Sequence, residues 1–145
     1  MQRFFLKPDE FQNGYVEIHD PQMIHQMRRV LRMRPGEQFV VLDNRGGYFL
    51  CELVEINDSK THAKILQQRK NMAEPEIFVT LYQSLPKKME LFEWILQKGT
   101  EIGVSRFVPM VTEHTERTSL GKRERLEKIL QEAAEQCECG KIPEL

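Results

Sequence analysis

The chain lacks the features that would place it in a membrane or in an oxidising compartment. No apolar run is long enough to span a bilayer, and Met1 to Leu6 carries one arginine and only a short apolar patch, so no signal peptide is predicted. Three cysteines, an odd number, fit reduced cytoplasmic thiols better than a disulfide framework. The formal net charge of −1 argues against a uniformly basic nucleic-acid coat. We therefore expect a cytoplasmic chain of 145 residues forming one medium or two small domains.

The common short motifs of catalysis and metal binding are also missing. There is no glycine-rich phosphate loop, no nucleophile elbow and no zinc-ligand spacing. His25 has no Cys or His partner at ligand spacing, and the pair Cys137 and Cys139 lacks further ligands nearby. Cys51 falls within a predicted strand and is expected to pack in the core. No metal site is predicted.

One predicted helix has a strongly one-sided charge. Asp20 followed by Pro21 is a typical helix start, and the periodicity predicts a helix over residues 21–32. No acidic residue occurs from Pro21 to Gly36, whereas an ordinary solvated helix face mixes both signs. This pattern favours an anion-binding face, with RNA phosphates as the obvious ligand, over a merely solvated one. The apolar face comprises Ile24, Met27 and Leu31, and the basic residues are His25, Arg28, Arg29, Arg32 and, in the following turn, Arg34.

The rest of the first half alternates in the manner of short strands. Gly46 and Gly47 suit a tight hairpin turn, and several strands with one inserted helix predict a small β-barrel. The polar stretch over residues 67–76 precedes a new pattern, so we predict a domain boundary between residues 72 and 73. The predicted strands are 1–6, 15–18, 38–42, 48–56 and 62–68.

The second half alternates strands and helices. This order predicts parallel strands with right-handed crossovers. Two or three parallel strands with two helices are a poor stand-alone domain, because parallel sheets normally bury both faces. Either a partner chain completes the sheet or the sequence is an N-terminal fragment. The predicted elements are a strand at 77–85, a helix at 85–103, a strand at 106–111, a helix at 122–136 and a further strand beginning at 141–145.

The helix at 85–103 combines a structural and a chemical pattern. We expect Pro86 in its first turn and Gly103 just past its end. At about 100° per residue its three aligned polar side chains lie within roughly 40° of one another. They form either part of a site or a solvated face with Lys88 and Lys98 as charge partners. The predicted buried stripe is Leu91, Trp94, Ile95 and Ile102, and the polar row is Glu90, Gln97 and Glu101.

Four ordered segments carry longer motifs. His25 to Gly36 reads H-x-x-x-R-V-L-R-M-x-P-G, and Leu85 to Val104 contains K-M-E…Q-K-x-x-E-x-G. Val108 to Thr115 and Glu132 to Leu145 resemble a P-x-x-[ST]-E-R-[SC] loop and an E-A-A-E-Q-[SC]-G-R…V-P-E-[IL] helix exit. Together they resemble the bacterial 16S rRNA (uracil-N3)-methyltransferases, the RsmE family. His114 stands where arginine is commoner, and Glu138-Cys139 replaces Gly-Arg, so any substrate contact of that arginine is in doubt.

The resemblance implies both a fold and an activity. The fold would be a two-domain chain of α+β and α/β class, a PUA-like β-barrel in residues 1–72 followed by the first half of a SPOUT domain in 73–145, with the knot region absent. The implied enzyme is a homodimer that uses S-adenosylmethionine to methylate N3 of a uridine in 16S rRNA or the small ribosomal subunit. The donor site is expected beyond Leu145, so the chain alone is predicted to be inactive.

The resemblance and the charge pattern together assign roles to residues. Two alternatives remain open, a non-catalytic RNA-binding module and an α/β interaction domain whose sheet edge pairs with a partner. The predicted RNA-binding residues are Arg3, His25, Arg28, Arg29, Arg32, Arg34, Lys87 and Lys88. The predicted site-supporting residues are Glu90, Gln97, Lys98 and Glu101, and the weak catalytic candidates are Glu101, Glu113 and His114, the last of which is otherwise a solvated loop histidine.

Overall fold

The chain divides into two compact units. A computed structural model describes residues 1–71 and 77–145. The first unit is Met1–Met72 and the second is Ala73–Leu145. The boundary predicted between residues 72 and 73 lies outside the described residues. In the described part of the chain, no helix combines the length and the apolarity needed to cross a bilayer.

The first unit is a six-stranded mixed sheet in the order β1-β4-β5-β6-β3-β2. β1 pairs with β4 in parallel, and the other neighbours are antiparallel. Among residues 1–71, β1 and β2 form the two edges of the sheet and do not pair with each other. The sheet is therefore an open half-barrel, where the sequence predicted a barrel. The strands are β1 (Arg3–Phe5), β2 (Phe11–Gln12), β3 (Tyr15–Ile18), β4 (Gln38–Leu42), β5 (Gly47–Ile56) and β6 (Thr61–Lys70).

Alternating apolar side chains of these strands form the core of the first unit. Phe4 and Phe39 pack edge to face, with ring centroids 5.8 Å apart. Cys51 is fully buried in the same cluster, as predicted, and burial raises the pKa of its thiol to about 12. This core gives the inserted helix a rigid apolar surface to pack against.

The inserted helix begins where the sequence predicts. It comprises α1 (Pro21–His25) and a π-helical continuation, Gln26–Val30. Oδ1 of Asp20 accepts a hydrogen bond from the Gln22 amide at 2.9 Å, which caps the first turn. Its predicted apolar face is confirmed, because Ile24 and Met27 are buried and Leu31 packs against the same cluster.

The second unit contains β7 (Thr80–Ser84), α2 (Met89–Glu101), β8 (Arg106–Met110) and α3 (Arg123–Gln136). β7 and β8 pair in parallel, as the alternating order predicts. Of the further strand predicted at 141–145, the structure shows an isolated parallel bridge between Glu144 and Arg106 of β8. The two helices pack on the sheet through a core that includes Phe92, Leu96, Phe107, Leu126 and Leu130.

The start of α2 and the start of the strand before it differ from the predictions. The helix starts at Met89 with Lys88 as its N-cap residue, so Pro86 precedes the helix instead of lying in its first turn. The glycine prediction is confirmed, because Gly103 has φ +92° directly after the C-cap residue Ile102. The predicted strand at 77–85 is also shorter, since β7 starts only at Thr80.

The buried face of α2 also differs from the predicted stripe. Leu91, Trp94 and Ile102 are 51%, 56% and 83% exposed. The helix instead buries Phe92, Leu96, Gly99 and Thr100. Gly99 allows this face to pack closely against β8, because a Cβ at that position would lie 2.6 Å from the Phe107 ring. Both stripes have helical spacing, so periodicity alone could not separate them.

Candidate nucleic-acid interface and strand-end site

The basic residues of the first unit lie on and just after the inserted helix. We call His25, Arg28, Arg29, Arg32 and Arg34 the basic surface. All of them are exposed except Arg28, which is half-buried. Arg28 and Arg29 occupy the last turn, where positive charge also stabilises the helix dipole. Among residues 1–71 and 77–145, Arg29 and Arg32 form no side-chain ion pair, so their guanidinium groups can bind an external anion.

An aspartate from a distant turn faces one arginine of this surface. Nη1 of Arg28 donates a hydrogen bond to Oδ1 of Asp58, which lies in the turn between β5 and β6. Asn57 orders that turn, since its Oδ1 accepts hydrogen bonds from the amides of Ser59 and Lys60, both at 2.9 Å. Asp58 therefore adds a negative charge to the basic surface, although residues 21–36 contain no acidic side chain. An incoming phosphate would compete with Asp58 for Arg28.

Arg32 has an unusual backbone conformation for a residue with a side chain. Its φ is +54°, in the left-handed region where glycine is favoured. The amide of Met33 donates to the carbonyl of Met27 at 2.9 Å and closes the helix end around Arg32. A left-handed residue costs about 1–2 kcal/mol. Arg32 therefore presents an exposed positive charge in spite of that cost.

The remaining predicted RNA-binding residues do not belong to this helix. Arg3 is half-buried in β1, in the same unit as the basic surface but on a different element. Lys87 and Lys88 are exposed and lie directly before α2, in the second unit. The structure thus brings five of the eight predicted residues together on one segment.

The loops after β7 and β8 meet at one end of the parallel sheet. The amide of Leu85 donates to the carbonyl of Met110 at 2.9 Å, and Nζ of Lys87 lies 2.9 Å from Oε2 of Glu116. Nε of Arg117 also donates to the Lys87 carbonyl at 3.4 Å. In α/β sheets, ligand sites form at this end of the strands.

Two predicted catalytic candidates lie in the same loop region as this contact. Nε2 of His114 is 3.3 Å from Oε1 of Glu113, and both side chains are almost fully exposed. A solvated pair of this kind can contact RNA, but its surroundings do not remove water from it.

Sequence reasoning did not select Glu116 or Arg117. The carboxyl ends of neighbouring parallel strands share one sheet edge. That rule could have predicted that both residues lie near the end of β7. Their contacts with Lys87 span about 30 positions of sequence, so no local spacing reveals them.

The predicted polar row on α2 divides into two parts. Glu90 and Gln97 line a cavity of about 410 Å³ between α2 and α3. Glu101 instead accepts hydrogen bonds on both carboxylate oxygens from Nζ of Lys98, at 2.8 Å. This contact is the charge pairing expected of a solvated face. The site-supporting role of these four residues stays a prediction.

An ion pair lines the same cavity. Nε and Nη2 of Arg125 donate to the two carboxylate oxygens of Glu93 at 2.6 and 2.9 Å. The hydrogen bond from Arg125 lowers the pKa of Glu93, and the partial burial of this carboxyl opposes that shift. The pair joins α2 to α3 and is a structural contact.

Potential metal ligands do not cluster in the described residues. Within residues 1–71 and 77–145, no group of three or more His, Cys, Asp and Glu side chains is placed to hold a metal ion. Cys137 and Cys139 come closest, with their Sγ atoms 2.8 Å apart, but they are only two.

A half-barrel with an arginine-rich helix, joined to a parallel α/β unit, defines a protein class that pairs a nucleic-acid-binding fold with a fold typical of enzymes. Comparison with family models identifies both domains of this class. The model described as "RNA methyltransferase domain" matches residues 73–145, and the model described as "RNA methyltransferase PUA domain" matches residues 24–66. The chain therefore belongs to the RNA methyltransferase family that the four motifs predicted.

Individual relatives agree with this assignment. The chain is 31% identical to "Ribosomal RNA small subunit methyltransferase E" of Bacillus subtilis (strain 168), over 99% of this chain and 58% of that protein. It is 34% identical to the protein of that name from Synechocystis sp., over 97% of this chain and 46% of the relative. A Neisseria gonorrhoeae protein of the same name, crystallised with S-adenosyl methionine, matches at a TM-score of 0.86 and 26% identity, over 100% of this chain and 60% of that chain. The chain spans about half the length of these relatives.

Proposed function

We propose that this chain is part of a protein that transfers a methyl group from S-adenosylmethionine to N3 of a uridine in small-subunit rRNA, and that it carries the RNA-binding unit and part of the catalytic domain. The observation that carries the proposal is an exposed arginine surface on a PUA-like unit, in one chain with an RNA methyltransferase domain. The names of the relatives support the rRNA substrate. The resemblance adds the finer parts of the proposal, which are uridine N3 as the acceptor, a SPOUT fold whose knot lies outside this chain, a homodimer and a cytoplasmic location.

The location of the methyl-donor site is a further part of the proposal. The α2–α3 cavity of the second unit is lined only by those two helices and not by the strand-end loops. Three carboxylates, Glu90, Glu93 and Glu132, line this cavity together with Arg125. The resemblance implies a donor site beyond Leu145, and our proposal includes that location.

The residues of this chain bind and orient RNA in this proposal. Arginines of the basic surface contact phosphates, which provides affinity and register, and the target base must leave its stack before it reacts. Lys87 and Lys88 supply positive charge beside the strand-end loops. In the proposal, Glu113 and His114 orient the RNA or hold the N3 proton that leaves as the methyl group arrives.

Salt dependence of RNA binding tests the basic surface. Each phosphate contact adds about −0.7 to the log–log slope of affinity against salt on a single strand. Changing Arg28, Arg29 and Arg32 to alanine should make the slope shallower by about 1.4 to 2, the lower value applying if Asp58 already neutralises Arg28. The measurement is fluorescence anisotropy with a labelled single-stranded RNA at several salt concentrations.

Two matched variants sharpen this test. Changing the same three arginines to lysine keeps the charge and should keep the slope. Asp58→Asn removes the competing carboxylate and should raise the affinity about two- to fivefold at low salt. An alanine variant with the wild-type slope would exclude the basic surface as the RNA-binding site.

A non-catalytic RNA-binding role for this chain is the second candidate function. The observation that favours it is the exposure of Glu113 and His114, because the structure does not exclude water from these two catalytic candidates. The third alternative, an α/β interaction domain, is favoured by the exposed apolar side chains of Leu91 and Trp94. Binding of RNA by this chain is expected under both the first and the second candidate, and the absence of RNA binding supports the third.

A further inference from the structure

We propose that Cys137 and Cys139 form a thiol–disulfide exchange site whose co-reactant is a small-molecule disulfide. The Sγ atoms of the two side chains lie 2.8 Å apart. A disulfide bond is about 2.0 Å long, so the sulfur atoms need only a small movement to bond. This site is independent of the proposed methyl transfer.

The end of α3 holds the two sulfur atoms together. The amide of Cys137 donates to the Ala133 carbonyl at 2.9 Å, and the amide of Cys139 donates to the Ala134 carbonyl at 3.0 Å. Between them Glu138 has φ +68°. This is the hydrogen-bonded, left-handed turn that commonly ends a helix. The helix end therefore places the side chains on either side of Glu138 against each other.

The third cysteine of the chain provides an internal contrast. Cys137 and Cys139 are half-buried, so a small disulfide can reach them. Cys51 is fully buried in the half-barrel core, and burial raises the pKa of its thiol to about 12. Because the thiolate is the attacking species, Cys51 should stay unreactive in the folded protein.

The exchange proceeds in two balanced steps. The thiolate of one cysteine of the pair attacks a sulfur of the small disulfide, which forms a mixed disulfide and releases one small thiolate. The other cysteine then attacks the protein sulfur of that mixed disulfide, forms the Cys137–Cys139 bond and releases the second small thiolate. The protein loses two electrons and two protons, and the small disulfide gains both as two thiols.

Mass spectrometry of the oxidised full chain tests the proposal. The folded protein is incubated with oxidised glutathione, quenched with acid, unfolded and alkylated with iodoacetamide. We expect a single alkylated residue, Cys51, and a peptide containing both other cysteines that is lighter by about 2 Da, the mass of the two hydrogens lost in exchange. A reducing agent should restore three alkylated cysteines. Persistent glutathione adducts, or disulfide-linked dimers in place of the internal bond, would overturn the proposal.

Variants separate proximity from simple reactivity. Cys137→Ser and Cys139→Ser should each accumulate a stable glutathione adduct on the remaining thiol, whereas Cys51→Ser should behave as wild type. Glu138→Pro cannot adopt φ +68° and should slow internal disulfide formation by about tenfold or more, while Glu138→Gly should keep the wild-type rate. Circular dichroism checks that both variants fold. Equal rates in the folded proline and glycine variants would also overturn the proposal.

Discussion

At the scale of single residues, both units place a charged side chain where helix ends favour glycine. Arg32 follows the π-helical segment with φ +54°, and Glu138 follows α3 with φ +68°. Each conformation costs about 1–2 kcal/mol for a residue that has a Cβ. At Arg32 the proposed RNA contact offers a reason to keep the side chain. The family pattern that the sequence resembles has glycine at the position of Glu138, so no functional contact explains a side chain there.

Replacing Glu138 by glycine should therefore stabilise the second unit. We expect a gain of about 1 kcal/mol in the free energy of unfolding, because glycine adopts the left-handed conformation without a Cβ clash. Urea denaturation measures it as a higher midpoint at an unchanged m-value. Glu132→Gly, in the interior of α3, is the matched control and should destabilise the unit by about 1 kcal/mol. Destabilisation by Glu138→Gly would contradict the strain argument.

The Glu93–Arg125 pair makes stability depend on pH in the acid range. The Arg125 hydrogen bond lowers the pKa of Glu93 from its ordinary value of 4.5. The folded state then binds fewer protons than the unfolded state, so the stabilisation is complete above that ordinary value. It is lost as the pH falls through the lowered, folded-state pKa.

Removing the arginine should reverse this effect. In Arg125→Ala, the titration midpoint of the Glu93 carboxyl, followed by carbon-13 NMR, should rise back towards its ordinary value. The unfolding free energy should also vary less with pH below that value. Arg123→Ala serves as the control, since Arg123 pairs with Glu127 and not with Glu93. If the Glu93 midpoint does not move in Arg125→Ala, the assigned cause is wrong.

At the scale of elements, the α2 helix shows how packing chooses between two apolar stripes. Gly99 lets the helix approach β8 at Phe107, and Thr100 satisfies its own hydroxyl by donating to the Leu96 carbonyl at 2.8 Å. Small or internally satisfied side chains can thus line a close contact that larger ones could not. The exposed stripe remains an apolar surface on the outside of the unit.

Two identical substitutions on α2 should have very different effects. Leu96 is fully buried, so Leu96→Ala should lower the unfolding free energy of the second unit by about 2–5 kcal/mol through lost contacts and a cavity. Leu91 is half exposed, so Leu91→Ala should change it by less than about 0.5 kcal/mol. Urea denaturation of both variants measures the difference. Similar losses would mean that the helix buries its other face.

At the scale of the whole molecule, the basic surface and the methyltransferase domain belong to different units of the chain. The PUA-like unit carries the basic surface, and the described part of the methyltransferase domain contains two paired parallel strands and two helices. The chain spans 58% of the Bacillus subtilis relative and 60% of the Neisseria gonorrhoeae structure. The proposed RNA binding can therefore be measured separately from the proposed methyl transfer.

The isolated chain should bind RNA without binding the methyl donor. Titration calorimetry with S-adenosylmethionine should show no binding at micromolar strength, and radiolabelled donor should leave no methyl group on small-subunit rRNA. The Neisseria gonorrhoeae relative, whose crystal structure holds S-adenosyl methionine, is the positive control. Micromolar binding by the 145-residue chain would refute the assignment of the donor site beyond Leu145.

Local features of the sequence predicted much of the fold. The alternation at Tyr15–Ile18 and Gln38–Leu42 gave both strands at their observed bounds, and Asp20 and Gly103 marked a helix start and a helix end. The four ordered motifs identified the family. These features depend on neighbours within a few residues, where hydrogen bonds, caps and side-chain periodicity act directly.

Only the tertiary structure decided which distant groups meet. Asp58 faces Arg28 across 30 positions, and Lys87 meets Glu116 at the strand ends. The buried face of α2 depends on the shape of Phe107 against Gly99. The sequence by itself determined the elements, the family and a basic segment, because those are set by local chemistry. The charge balance of the basic surface, the strand-end contact and the helix face were set by packing between segments far apart in the chain.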